Sequence, residues 1–305
     1  MDVALWLMAA SLFSSFTTST TVQGYETMPE VTPSPMAHYA DQQTRADIEQ
    51  QREQIAREAE NTLDKDAIEV LQQTHNVIKA IEASKHDDAV AAIKRAQKQI
   101  ELLLQRNSTQ VHIPVHVEVA VFDTAPEELS AIIDIAQDAS RALDDKDFPS
   151  ARVLLHSLMS EIRVREYNLP LTTFPTALQE AQRLLEQNKT SEARAVLLTA
   201  LRTLVALDRV VPIPLLAARA AIKRAQANRS DAATAQQYLH IADHEVDRAR
   251  YLGYAGSSPE YTALKDEIAK LEKQLKGEED LSSVFSELGN RLATFLRWQS
   301  EHQHS

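Results

Sequence analysis

The chain has no cysteine, and this absence excludes several kinds of chemistry. Disulfide bonds, thiolate zinc sites and cysteine nucleophiles all need a thiol. A chain without thiols is compatible with an oxidising compartment, although the composition does not establish one.

Glycine and aromatic residues are also scarce. Only five of the 305 residues are glycine, and Phe, Trp and Tyr together make up 5 %. An extensive β architecture would need more turns of the Asn-Gly or Asp-Gly kind. Because apolar residues still reach 44 %, Ala and Leu must fill the core, and this favours closely packed helices.

Positive charge is in short supply as well. The chain has 32 Lys and Arg against 44 Asp and Glu, which gives a formal net charge of −12. With no global basic field to attract phosphates, we do not expect nucleic acid as a partner. The sequence also lacks a Gly-x-Ser-x-Gly elbow and a glycine-rich phosphate loop. We therefore expect no catalytic residue, no cofactor and no enzymatic activity.

Residues 1–24 predict a signal peptide. Val3–Phe13 is an apolar run of the length found in signal peptides, and it is too short to span a membrane. Asp2 stands where a signal peptide carries Lys or Arg, so a mis-assigned start codon or a non-exported tail is the alternative. We expect a periplasmic or secreted protein with no transmembrane span.

Residues 25–63 predict a flexible linker followed by a charged helix over residues 41–63. In that helix Ile48, Ile55 and Thr62 keep a heptad step, but the apolar stripe is thin. Such a helix needs a partner, or it frays.

Residues 64–256 predict helical hairpins that repeat. The second helix of each pair follows one frame: Ala, an aliphatic residue four positions on, a small or aliphatic residue seven on, and an aliphatic residue eleven on. The frame begins at Ala89, Ala151, Ala193 and Ala235, and its last two steps are 42 residues each. Stacked αα-hairpins have such spacing, but any antiparallel bundle shows the same pattern. A bundle and a short solenoid-like stack both stay open, and residues 257–305 add a C-terminal helical pair and a polar tail.

One segment alternates as a strand does. In residues 111–122, Val and Ile at odd positions alternate with mostly polar residues, which is typical of β structure. We expect residues 162–171 to be its partner, although the frame of Ala151 would also place Ile162 on a helix. Thr124 and Glu127 form a capping-box pattern at the start of the next helix. The predicted fold class is therefore mainly α with a small β element.

Two pairs of histidines are candidate metal ligands. His240 and His244 are four residues apart on a predicted helix, a spacing that can hold a divalent metal. His112 and His116 are predicted to share one strand face with Glu118. Neither pair has an indicated third ligand, so solvent-exposed histidines are the simpler interpretation, and we assign no metal site.

Two proline-containing segments have two possible roles, one in peptide binding and one in connecting helices. Leu169-Pro170-Leu171 and Pro212-Ile213-Pro214 could form a peptide-binding surface. The simpler interpretation is a rigid crossing between helices, because proline cannot continue a helix and fixes its own φ.

Three segments resemble the YfdX family of bacterial, mostly exported proteins. They are Val117–Asp123 (VEVAVFD), Leu169–Pro175 (LPLTTFP) and Val210–Leu216 (VVPIPLL), and Leu252-Gly253-Tyr254 is similar too. The resemblance covers about residues 64–276. It implies a helix-rich, self-associating envelope protein, linked to acid-response and heat-resistance operons, with a chaperone-like role. No catalytic residues are recognised in the family, so none is carried over.

These observations leave three hypotheses. The first is a non-enzymatic stress protein that associates with itself or with partly unfolded envelope proteins. The second is a ligand- or metal-binding module, and the third is an unrecognised enzyme. Near pH 5 the ten histidines gain charge and the chain approaches its sequence pI of about 5.3, so acid is expected to change its assembly.

Overall fold

The computed structural model describes residues 35–107, 109–254, 259–275 and 281–302. The predicted signal peptide, most of the linker, and residues 303–305 of the tail lie outside these residues. Two compact units comprise residues 1–40 and 41–305. Of the first, only residues 35–40 are described; the description below concerns the second.

The described residues form eleven helices and three strands, which confirms the mainly α class with a small β element. The helices are α1 Pro35–Glu60, α2 Lys65–Glu82, α3 His86–Arg106, α4 Leu129–Asp144, α5 Phe148–His156, α6 Phe174–Glu186, α7 Thr190–Leu201, α8 Ile213–Ala227, α9 Ala232–Tyr251, α10 Pro259–Gln274 and α11 Ser282–His302. The strands are β1 His112–Asp123, β2 Ser160–Pro170 and β3 Val205–Pro212. No described helix has the length and apolar character needed to cross a bilayer.

Helical hairpins alternate with strands along the chain. The pair α2–α3 precedes β1, α4–α5 precedes β2, α6–α7 precedes β3, and α8–α9 follows. The strands pair antiparallel in the order β1-β2-β3. Because neighbouring strands run in opposite directions, successive hairpins leave the sheet at alternate ends. The hairpins α2–α3 and α6–α7 therefore meet at one end and form one core, which we call the first core.

Because of a bulge, β1 contributes side chains to two separate hydrophobic cores. Pro114 lies opposite Asn168 while His116 lies opposite Tyr167, so Val115 is the additional residue. A bulge of one residue reverses the face on which later side chains lie. Val115 accordingly packs in the first core, whereas Val117 packs against the other, second core.

The second core gathers the C-terminal half of the chain. Helices α8 to α11 supply most of its side chains, and Ile162 and Val164 of β2 close one side. The C-terminal helical pair predicted from residues 257–305 thus buries its apolar seam against α8 and α9. Tyr261 donates a hydrogen bond to Asp247, and Lys265 Nζ lies 2.8 Å from the same carboxylate.

The charged N-terminal helix finds its partner within the chain. Ile55 and Ala59 of α1 are buried in the second core, and Ile48 packs against it. Asp47 also forms an ion pair with Arg224 of α8. The thin apolar stripe therefore suffices, because its isoleucines pack on the second core and one ion pair links the helix to α8.

The alanine frame is confirmed at three of its four positions. Ala89, Ala193 and Ala235 are fully buried together with the aliphatic residues four positions on. At Ala151 the frame fails because α5 ends at His156 and Ile162 lies in β2. The alternation of apolar and charged residues after Glu161 favours strand pairing over a longer helix. The frame also did not predict β3.

The proline segments lie at buried junctions. Leu169 and Leu171 are at most 5 % exposed where β2 ends, and Ile213 is 1 % exposed where β3 passes into α8. They are rigid connections, as expected, but they join strands to helices instead of helix to helix. Their burial leaves no surface there for a peptide.

Candidate functional site

The hairpin α4–α5 differs from the other hairpins because its buried residues belong to neither core. Ile132, Ala139 and Ala151 hold its two helices together. Lys146 turns the chain between them with a φ of 60°. Asp147 accepts a hydrogen bond from the Ser150 backbone N–H at 3.2 Å. The Ser150 hydroxyl, together with this backbone N–H, lowers the pKa of Asp147. The hairpin is thus well formed but sparsely covered by the rest of the chain.

Large apolar side chains on this hairpin face solvent. Leu143, Phe148, Val153 and Leu155 are 46, 57, 69 and 50 % exposed, and we call them the apolar hairpin surface. Phe148 and Leu155 are seven residues apart and share one side of α5, whereas Val153 lies on another side. A helix that is apolar on several sides is normally buried. Four exposed large apolar side chains on one short hairpin therefore make it a candidate interaction surface.

The base of the hairpin is held by buried polar contacts. Arg248 of α9 is only 6 % exposed, and it donates to the carbonyls of Pro126 at 3.0 Å and Ala125 at 3.1 Å. Thr124 Oγ1 donates to the carbonyl of His156 at 2.6 Å, so it ties the start of the hairpin to its end. The predicted capping box is therefore wrong, since α4 begins only at Leu129, after Glu128.

Tyr254 fixes the strand that follows the hairpin. Its hydroxyl accepts from the Ser160 backbone N–H and donates to Glu161, both at 2.9 Å. Burial raises the pKa of Tyr254 well above its usual range. Gly253 precedes it with a φ of +87°, a conformation that favours glycine. The Gly-Tyr pair that is similar to the family thus has a structural role at the root of the hairpin, and the spacing of residues alone did not predict it.

The helix histidines bind separate carboxylates. His240 Nδ1 lies 3.1 Å from Glu272 Oε1, and His244 Nδ1 lies 3.7 Å from Glu245 Oε1. The adjacent carboxylate of Glu245 raises the pKa of His244. Within the described ranges, no three His, Asp or Glu side chains come together as a metal site would require.

The strand histidines do not share a face, and that prediction is wrong. The bulge at Val115 separates His112, opposite Pro170, from His116, opposite Tyr167. His116 stacks on Tyr167 with ring centroids 5.7 Å apart, and its Nε2 lies 3.7 Å from Glu118 Oε1. A register shift of one residue therefore separates His112 from the predicted group, while His116 and Glu118 remain neighbours.

The outer face of the sheet carries a polar network that the sequence did not predict. Arg165 donates two hydrogen bonds to Asp208, each 2.7 Å long, and these raise the pKa of Arg165. The Tyr167 hydroxyl donates to Glu118 at 3.2 Å. These pairs link all three strands, and the alternating arginines of β2 are the one sequence signal that indicates them.

The architecture defines a mainly α protein of helical hairpins joined through a small antiparallel sheet, with an exposed apolar hairpin. Residues 70–210 match the family model described as YfdX protein. This region, which runs from α2 into β3, matches the YfdX family, as the proline-aliphatic segments predicted. Helix α1 and helices α8 to α11 lie outside the match.

Among solved structures, that of Salmonella Typhi YfdX is similar to this chain. The identity is 13 %, the match covers 50 % of this chain and 93 % of that chain, and the TM-score is 0.34. No curated protein shows significant similarity.

Proposed function

We propose that this protein is a non-enzymatic stress protein of the bacterial envelope that supports tolerance of acid and heat. It acts as a chaperone by binding partly unfolded proteins, and further copies of itself, through the apolar hairpin surface. Location in the periplasm rests on the predicted signal peptide. The match to the YfdX family model, and the role that the resemblance implies, support this proposal.

The exposed side chains of α5 carry the proposal. Burying apolar surface contributes roughly 25 cal/mol per Å². Phe148 and Val153 are more than half exposed on a nine-residue helix. Covering this helix with apolar segments of another chain is therefore favourable, and non-directional contacts of this kind suit clients of differing sequence.

The charge of the molecule is suited to the same role. Asp144, Asp145 and Asp147 are exposed beside the apolar hairpin surface. With a net charge of −12, copies of the protein and bound clients stay in solution at neutral pH. Protonation of histidines and carboxylates weakens this repulsion, so acid favours association.

The test follows the aggregation of an unrelated client by light scattering at 45 °C, at pH 7 and pH 5. We expect the mature protein, from about Tyr25, to suppress scattering at equimolar ratio or below. The double variant Phe148→Ser, Val153→Ser should need roughly tenfold more protein, since it removes the two most exposed of the four side chains of the apolar hairpin surface.

Leu104→Ser, Val111→Ser is the matched control. Its two residues are 39 and 50 % exposed and lie away from the hairpin. Equal loss in both double variants, or no suppression by the unaltered protein at either pH, would remove the support for this site.

A metal-binding module is the second candidate. The observation that favours it is the pairing of His240 with Glu272, which places an imidazole and a carboxylate 3.1 Å apart across α9 and α10. Calorimetry with zinc and nickel separates this candidate from the first.

A further inference from the structure

A groove runs between α1 and α8. It encloses a cavity of about 320 Å³. Ile48, Gln50 and Gln51 of α1 form one wall, and Leu216 and Ala220 of α8 lie across from them. The ion pair of Asp47 with Arg224 and the buried contacts of Ile55 hold α1 in place on either side. The groove is therefore a formed feature between two held helices.

The charge of the groove is opposite to that of the chain. Its lining contains three cations, Arg219, Lys223 and Arg224, and one anion, Asp47. Asp47 already pairs with Arg224. Arg219 and Lys223 are four residues apart on α8, and neither forms an ion pair with any residue in the described part of the chain. Arg219 and Lys223 thus lie beside apolar lining residues, in a protein of net charge −12.

An adjoining depression continues the groove at its cationic end. Lys223 and Ala227 line both, and the second is completed by Gln226, Arg229 and Ser230. The charged end of a ligand at Lys223 can therefore extend into this depression. Its apolar end then lies between Ile48 and Leu216.

We propose that this groove binds a free, single-chain anionic amphiphile of the fatty-acid class. The carboxylate lies between Arg219 and Lys223, which act as charge-assisted donors. The alkyl chain lies on Ile48, Leu216 and Ala220. The volume falls at the lower end of the range for small-molecule pockets, about 300–1,000 Å³.

Other anions fit the groove less well. Its lining has no aromatic side chain on which a nucleobase could stack. Inorganic phosphate would use the cations but not the apolar lining residues. The groove is also built by α1 and α8, which lie outside the matched residues 70–210.

The test is calorimetric titration of the full mature chain with dodecanoate below its critical micelle concentration. We expect saturable binding with one site per chain. Arg219→Gln, Lys223→Gln should weaken it about tenfold or more, because charged hydrogen bonds are lost. Lys94→Gln, Lys98→Gln is the matched control: two exposed cations, four residues apart on α3, that should leave the affinity unchanged. Ala220→Trp fills the groove without changing its charge and should abolish binding.

Further arms separate the ligand classes. Dodecanol should bind at least tenfold more weakly than dodecanoate, and inorganic phosphate should not bind. Binding to vesicles of phosphatidylglycerol but not to dodecanoate would assign the cations to a membrane surface and overturn the proposal. So would equal affinity in the charge variant and its control. If Ala220→Trp does not fold, the comparison of the charge variant with its control still tests whether Arg219 and Lys223 bind the carboxylate.

Discussion

At the scale of single residues, buried polar groups determine where the hairpin α4–α5 lies. Tyr254 is the clearest case, because one hydroxyl serves both a backbone N–H and a carboxylate that is itself 6 % exposed. Removing such a partner leaves buried polar groups unsatisfied.

Tyr254→Phe should therefore destabilise the protein by about 1–3 kcal/mol, the usual cost of an unsatisfied buried group. The measurement is chemical denaturation followed by circular dichroism. Tyr251→Phe is the control, since this side chain is 45 % exposed, and it should change stability by less than about 0.5 kcal/mol. Equal stability of the two variants would show that the Tyr254 hydroxyl contributes nothing.

His244 gives a residue-level pH dependence. The carboxylate of Glu245 raises the pKa of His244, while burial and Arg248 oppose this shift and Glu128 adds a smaller favourable effect. A pKa raised in the folded state adds stability below the unfolded pKa, and that stability is lost as pH rises through the folded value.

His244→Gln should thus reduce the gain in melting temperature between pH 8 and pH 5.5, and Glu245→Gln should reduce it too because it removes the partner. The quantity to compare is the pH slope, which a general loss of stability would not alter. A slope equal to that of the unaltered protein in both variants would contradict the assignment.

At the scale of elements, local periodicity predicted the hairpin helices and the pairing of β1 with β2, but it did not predict β3 or the bulge. The hairpin helices were predicted because their burial repeats within a few residues, as at Ala193 and Leu197. The strand β3 and the bulge at Val115 depend on pairing with β2, which is distant in sequence. Sequence reasoning therefore placed His112 and His116 on one face, and the bulge separated them.

The same limit applies to the candidate site. The apolar residues of α5 follow a pattern that would be the same if another helix covered them. Only the tertiary structure shows that Phe148 and Val153 remain exposed. Arg219 and Lys223 likewise appear in sequence as ordinary surface charges, and the approach of α1 makes them the rim of a groove.

At the scale of the whole molecule, net charge and the apolar hairpin surface act against each other. The charge of −12 at neutral pH separates copies of the protein, while exposed Phe148 and Val153 favour contact. As pH falls toward the pI of about 5.3, repulsion weakens and the apolar contribution remains. Acid should therefore increase self-association.

Sedimentation velocity from pH 7.5 to pH 4.5 measures this balance. We expect larger species at low pH for the unaltered protein, and a smaller change for Phe148→Ser, Val153→Ser, which keeps the charge but removes the apolar contact. An unchanged oligomer across the range would contradict the charge argument. Equal acid-induced growth in the double variant would show that acid acts elsewhere, and the hairpin would then serve clients instead of further copies of the chain.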